Sequence, residues 1–175
     1  MDILAHTLWA NAGARGVNAL AEKQNKKFRI HVGWTAFLGV APDFFAFTIP
    51  FIIGLYKMIF EGGEFGRHHF NVGGFDLASY LYQFSHSLVI WVFVFCIVWF
   101  FAKRPRWELL GWALHILIDI PSHVLAFYPT PFLFPISDYR FPYGIQWSNM
   151  WYMIINYFLL LMVWGRIAWN KYIKK

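Results

Sequence analysis

The sequence predicts an all-α polytopic membrane protein with four transmembrane helices and a short, partly inserted N-terminal helix. Two observations carry this prediction. The 175-residue chain is 59% hydrophobic and 22% aromatic, and only 14% of its residues are charged, whereas soluble domains carry about 25%. Apolar segments also recur near the length of about 20 residues that a helix needs to cross a bilayer. A single membrane-embedded domain, residues 1–175, accounts for the chain.

Four segments fit a membrane span, namely residues 33–56, 77–102, 107–127 and 144–165. The second and fourth contain no Asp, Glu, Lys or Arg, whereas Asp43 lies in the first and Asp119 in the third. Both of these polar spans also contain proline, which membrane helices tolerate where they line a cavity or another helix. Residues 1–14 lack the basic start of a signal peptide. We expect this stretch to dip into the membrane and to end at Arg15.

Basic residues alternate between the loops that connect these spans. Twelve of the 15 Lys and Arg residues precede the first span, separate the second from the third, or follow the fourth. Only Lys57, Arg67 and Arg140 lie in the other two loops, residues 57–76 and 128–143. The positive-inside rule then places the C-terminus in the cytoplasm and these two loops outside. The net charge of +6 therefore reflects topology, and no nucleic-acid partner is expected.

Several polar residues share one depth in the predicted membrane. With a rise of about 1.5 Å per residue and a core about 30 Å thick, His86 and Asp119 lie roughly 12–13 Å below the outer face. His115 lies one turn deeper, Asp43 is near the middle, and His6 reaches a similar level if the N-terminal stretch is inserted. An Asp at the centre of a span costs roughly 2.5–3.5 kcal/mol on insertion scales. A divalent cation would join these isolated groups in one coordinated centre.

The segment HILIDIPSH, residues 115–123, places His115, Asp119 and His123 at intervals of four. Residues at i and i+4 share a helix face, so His115 and Asp119 could reach one metal ion. The alternative is a hydrogen bond between the two side chains within the core. Pro121 disturbs the helix, which leaves open whether His123 stays on the same face.

Three further motifs carry candidate ligands. In VAPDFF, Asp43 follows a proline and could point into a cavity or cap a helix. In FSHSL, His86 could be a ligand or an ordinary core histidine. MDILAHTL holds Asp2 and His6 at i and i+4, where Asp2 could also be a helix-start acid.

The predicted outer loops add basic residues that could contact an anionic substrate. GRHHF contains Arg67, His68 and His69, and SDYRF contains Arg140. Ordinary exposed loop residues are the alternative for both. Cys96 is the single cysteine, so the chain has neither a disulfide framework nor a cysteine metal site.

The ordered motifs MDILAHTL, APDFF, FSHSL, LHILID and FLFPISDYRF resemble the YdjM-like metal-dependent hydrolases of the bacterial inner membrane. The resemblance runs from residue 1 to about residue 147. It implies an inner-membrane location and five metal-site positions: His6, Asp43, His86, His115 and Asp119. The ligand order is also similar to zinc-dependent phospholipase C and related nucleases, in which the HxxxD aspartate bridges metals during phosphoester hydrolysis. That similarity implies a bridging role for Asp119, although His123 is an addition and the full three-metal ligand set is not apparent.

We therefore expect a membrane-embedded metal-dependent hydrolase that cleaves a phosphoester of a lipid or lipid-linked substrate with metal-activated water. Asp43, His86, His115 and Asp119 are the candidate catalytic residues and would hold one ion. Asp119, His6 and His123 would hold a second. Histidine nitrogen with carboxylate oxygen suits Zn²⁺ first, then Mn²⁺ or Fe²⁺. The alternatives are a small metal or proton transporter, whose usual inverted repeat is not found, and a structural metal protein.

Overall fold

The computed structural model describes residues 1–62, 71–72 and 75–172. This part of the chain is helical, and its α-helices are α1 (Ile3–Lys23), α2 (Val32–Leu38), α3 (Ala41–Glu61), α4 (Leu77–Ser85), α5 (Leu88–Ala102), α6 (Leu110–Ser122) and α7 (Met150–Tyr172). A 3-10 turn, Trp107–Leu109, leads into α6. The strands β1 (Asn71–Val72) and β2 (Phe75–Asp76) form a two-residue antiparallel ladder. The prediction of an all-α protein is confirmed.

Two helices, α3 and α7, are long and apolar enough to cross a membrane, with 21 and 23 residues. Together α4 and α5 would make a third span, but they are bent by 60°. The 13 residues of α6 reach only about 20 Å, less than the roughly 30 Å of a bilayer core. By length and composition, the described part of the chain therefore holds two or three candidate spans where the sequence predicted four.

Interruptions in the helices explain why the expected spans are shorter or split. The expected first span is divided at residues 39–40, and α3 starts with Pro42 in its first turn, where proline needs no hydrogen-bond donor. The expected second span is broken after His86. There, Ser87 caps α5 by accepting from the Ile90 N–H at 3.2 Å, and the Leu88 N–H donates to the Phe132 carbonyl at 3.0 Å.

The N-terminal helix is longer than expected, because α1 continues past Arg15 to Lys23. The Arg15 side chain bonds the Asn11 side-chain oxygen at 2.8 Å and lies over the ring of Trp164 at 5.6 Å. Because these contacts accommodate the charged Arg15 side chain on the helix surface, the helix continues beyond it. The expected end at Arg15 was wrong.

The fold places polar groups inside and apolar groups outside. Short α6 lies at the centre and contacts α1, α2, α3 and α5, and its buried residues include His115, Asp119 and Ser122. No residue of α5 is buried, and Phe100 in α5 and Leu161 in α7 are 66% and 71% exposed. Large exposed apolar faces around a polar interior are typical of a protein whose surroundings are lipid.

Glycine allows α2 to approach α6 closely. A Cβ added at Gly111 would lie 2.1 Å from the Thr35 carbonyl oxygen, and one at Gly39 would lie 2.4 Å from the Ala10 Cβ. Both values are far below ordinary van der Waals contact. The small residues therefore set the spacing of α1, α2 and α6, which carry or support the polar interior.

We expect Gly111→Ala to force α2 and α6 apart and to destabilise the fold by about 1–3 kcal/mol, as overpacking does. Gly165→Ala is the matched control, because an added Cβ there meets nothing within 4 Å. Unfolding in detergent, followed by circular dichroism, measures both variants. Equal midpoints for the two substitutions would contradict the close contact at Gly111.

Candidate metal centre

Three segments of the fold bring two histidines and two aspartates together. Asp43 lies in the first turn of α3, His86 ends α4, and His115 and Asp119 lie one turn apart in α6. One ligand atom from each residue lies within 4.8 Å of all the others. His86, His115 and Asp119 are at most 1% exposed. This buried group, the Asp43 cluster, could hold a metal ion.

The distances in the Asp43 cluster fit a tetrahedral ion. Ligand atoms about 2.0–2.1 Å from Zn²⁺ lie about 3.3 Å from one another at tetrahedral corners. His86 Nε2 lies 3.4 Å from Asp43 Oδ1 and 3.5 Å from Asp119 Oδ2. His115 Nε2 lies 3.7 Å from Asp43 Oδ1 and 3.1 Å from Asp119 Oδ2. These four distances are therefore close to those expected between ligands of one tetrahedral ion.

The imidazole rings are oriented as metal ligands. The Nδ1 atom of His115 donates to the Gly39 carbonyl at 2.8 Å, so a neutral ring presents the Nε2 lone pair to the cluster. His86 Nδ1 lies 2.8 Å from the Ser85 hydroxyl, and the two Nε2 atoms face each other at 2.9 Å. An outer hydrogen bond that fixes the tautomer is usual for metal-bound histidine.

Asp119 also faces a second set of groups through its other oxygen. Oδ1 lies 3.0 Å from His6 Nε2, 3.6 Å from His123 Nε2 and 2.5 Å from the α-amino group of Met1. The His123 Nδ1 atom donates to the Tyr128 carbonyl at 2.8 Å, which leaves its Nε2 lone pair facing inward. The two oxygens of this carboxylate thus point to two different sets of nitrogens, and the second set includes the positive α-amino group, which also lies 3.3 Å from His123 Nε2.

Several of these atoms are buried without a hydrogen bond. Both nitrogens of His6 and Oδ2 of Asp119 have no hydrogen-bond partner in the described part of the chain. His115 Nε2 nevertheless lies 3.1 Å from Oδ2, a distance that fits two ligands of one ion and also leaves the expected alternative of a His115–Asp119 hydrogen bond open. An unsatisfied buried polar group costs about 1–3 kcal/mol. A metal ion would satisfy Nε2 of His6 and Oδ2 of Asp119, and the residues present fit one.

The structure brings all six residues predicted as metal ligands together: His6, Asp43, His86, His115, Asp119 and His123. Pro121 does not interrupt α6, which ends at Ser122, and His123 follows in extended conformation with its ring turned back to Asp119. The alternative of Asp43 as a helix cap is wrong, because Val40 occupies that position. Asp2 does cap α1, since its carboxylate accepts from the Ala5 N–H at 2.9 Å.

Of the two residues predicted to contact substrate, Arg140 lies in the described part of the chain. Arg67, with His68 and His69, lies outside the described residues. Arg140 lines a separate cavity of about 240 Å³ whose lining includes Asp76, Ser79 and Tyr82 but none of the six ligands. Arg140 is therefore connected to the candidate ligands through Tyr82 and Tyr128, which line the same cavity and contact His86 and His123.

Tyr82, Ser85 and Gly39 support the cluster and were not singled out from the sequence. The Tyr82 ring stacks on His86 with 3.7 Å between centroids, and its hydroxyl donates to the Tyr128 carbonyl at 3.1 Å. Tyr82 precedes His86 by four residues, a spacing that could have suggested a shared helix face. Nothing in the sequence connects Gly39 with His115, because that contact spans 76 residues.

Comparison of the chain with protein-family models, with curated proteins and with solved structures found no match. The resemblance to YdjM-like hydrolases stays a prediction from sequence motifs. What the site does must be inferred from its own geometry.

Protein purified without chelator should contain one or two equivalents of a divalent transition metal, and Asp119→Ala should lose most of it. The reason is that Asp119 faces both sets of nitrogens. Elemental analysis by mass spectrometry measures the content. His31→Asn is the control, since His31 is exposed and caps α2 away from the cluster. Metal-free wild-type protein would refute the site, and full retention in Asp119→Ala would refute the bridging role.

Ser85→Ala should weaken metal binding by about 10–100-fold, the usual effect of losing an outer-shell partner. The substitution removes the hydroxyl that lies 2.8 Å from His86 Nδ1. Competition with a chromogenic chelator measures the affinity. Ser137→Ala should leave it unchanged, because the Ser137 hydroxyl contacts only an exposed loop N–H. Equal affinities would show that Ser85 does not orient His86.

Proposed function

We propose that this protein is a membrane-embedded metal-dependent hydrolase that cleaves a phosphoester in a lipid or lipid-linked substrate. The observation that supports this most is the division of the Asp119 carboxylate between two sets of histidines. Paired divalent ions about 3.5–4 Å apart are typical of phosphoester hydrolysis, because they stabilise both the attacking and the leaving oxygen.

Each residue has a distinct part in this proposal. Asp43, His86 and His115 would hold the first ion, His6 and His123 would hold the second, and Asp119 would contribute to both. Zn²⁺ is the first choice for this nitrogen and oxygen set, with Mn²⁺ or Fe²⁺ as alternatives. Ions bound here supply a nucleophile from water at neutral pH and balance charge on the phosphoryl oxygens.

The overall reaction adds water across one ester bond. The water oxygen bonds to phosphorus, the bond from phosphorus to the alcohol oxygen breaks, and a proton ends on the departing alcohol. Burial of the ligands fixes their orientation before substrate binds, which reduces the reorganisation needed in the transition state. Arg140, half-buried in the neighbouring cavity, is the candidate to contact a charged lipid headgroup.

The proposal includes the bacterial inner membrane, a cytoplasmic C-terminus and four crossings, with α6 and its flanking residues as the third. Asp76 and Arg140 line one cavity although they come from the two loops assigned to the outer side. This common position of Asp76 and Arg140 supports the assignment of both residues to one side of the membrane. The exposed apolar faces of α5 and α7 fit surrounding lipid.

Metal-loaded protein should release product from a panel of phospholipids and polyprenyl phosphates, and chelator should abolish the activity. Asp119→Ala and His115→Ala should lower turnover by orders of magnitude, because each removes a ligand that no neighbour replaces. The His31→Asn variant should keep full activity.

Other outcomes would point to other functions. Protein that cleaves no substrate but moves divalent ions into liposomes would be a transporter. Protein that holds its metal, cleaves nothing and moves nothing would be a structural metal protein. Cleavage of amide bonds alone would keep the site and overturn the substrate class.

A further inference from the structure

An apolar cavity of about 980 Å³ borders the Asp43 cluster. Its walls come from the start of α1, from one side of α3 and from the segment after α6, and include Leu4, Phe44, Thr48, Phe51 and Phe127. We name these five residues the groove. Asp43 and His123, two of the six candidate ligands, line the same cavity.

The exposed fractions of the candidate ligands indicate that the site is accessible from the cavity that the groove lines. The side chain of Asp43 is 16% exposed and that of His123 is 8% exposed, whereas those of His6, His86, His115 and Asp119 are at most 1% exposed. A substrate approaching the described part of the molecule therefore meets Asp43 and His123 first. The cavity that these two residues share with the groove is the space through which it can approach them.

The walls of the groove suit a hydrocarbon chain. Phe44, Thr48 and Phe51 follow one another at helical spacing and form a stripe on α3 about 11 Å long. Leu4, Phe44 and Phe51 are 57%, 46% and 50% exposed, so the groove is open towards the lipid side. A peptide in the same place would leave its backbone groups unsatisfied against phenylalanine and leucine, which is costly in an apolar setting.

We propose that the groove binds one hydrocarbon chain of the substrate and places the adjoining phosphoester against Asp43 and His123. The substrate is then a single amphiphile whose anionic phosphoryl group directly adjoins its chain, and it reaches the site sideways from the membrane. The position of the phosphoryl group beside a cation site supplies the charge complementarity. This inference rests on the proposed hydrolase function for the identity of the reacting group.

A light-activated probe tests the groove separately from catalysis. The probe is a long-chain alkyl phosphonate with a diazirine near the end of its chain, which has no ester bond to cleave. In metal-loaded wild-type protein, crosslinks should concentrate on α3 and on the peptide containing Phe127. Excess unlabelled phosphonate should suppress them, whereas methylphosphonate should compete far less, because it lacks the chain.

Two substitutions should block the groove. Thr48→Trp places a large ring in the groove, and Leu4→Trp narrows it from α1. We expect each to lower saturable crosslinking by about tenfold, equivalent to about 1.4 kcal/mol. Ile49→Trp is the matched control, because Ile49 is the next residue of α3, is 54% exposed and does not line the cavity. Metal content equal to the wild type shows that each variant is folded around an intact site.

The outcomes separate the two proposals. Crosslinks that spread evenly over α5 and α7 would overturn the groove. The groove would also be overturned if Thr48→Trp and Leu4→Trp left crosslinking as unchanged as Ile49→Trp does. If Thr48→Trp and Leu4→Trp still cleave long-chain phosphoesters at the wild-type rate, the hydrolase stands and the groove fails. If crosslinking is saturable and groove-dependent but no phosphoester is cleaved, the groove stands and the hydrolase fails.

Discussion

The placement of one carboxylate, that of Asp119, organises this molecule. Its two oxygens face nitrogens from α1, from the end of α4, from α6 and from the residue after α6, all inside an apolar helical protein. A buried, isolated carboxylate would be expensive. Its cost is offset where positive charge and hydrogen-bond donors lie beside it, and the Met1 α-amino group, 2.5 Å from Oδ1, supplies one such charge.

The breaks in the helices serve this arrangement. A continuous helix through residues 77–102 would leave His86 on one fixed stripe of its surface. The 60° bend and the Ser87 cap instead turn the chain where His86 meets His115 and Asp119. The break at residues 39–40 similarly frees the Gly39 carbonyl to accept from His115. Interrupted membrane helices are tolerated where the freed groups are satisfied inside the protein, and here they orient ligands.

The six candidate ligands differ in how accessible they are. Four of the six are almost fully enclosed, whereas Asp43 and His123 border the apolar cavity. The enclosed residues hold the geometry, and the bordering ones are where a substrate can approach. A cavity with phenylalanine walls that also borders Asp43 and His123 joins an apolar environment to a polar centre, and the proposed lipid substrate depends on this proximity.

The sequence by itself determined the helical class, the presence of membrane-type helices and the identity of the residues that meet at the centre. These follow from local properties. Long apolar segments indicate membrane-type helices, and charged residues such as Asp43 and Asp119 are identifiable because they lie inside such segments, where burial of a charge costs free energy. Tertiary structure alone decided where the spans break, how far α1 extends, that His123 turns back, and that Gly39 and Ser85 orient His115 and His86. These features depend on contacts between residues far apart in the chain, such as the 76-residue separation of Gly39 and His115. Local composition cannot encode them, because close packing and hydrogen bonding between helices select one of many arrangements that the same apolar pattern would allow.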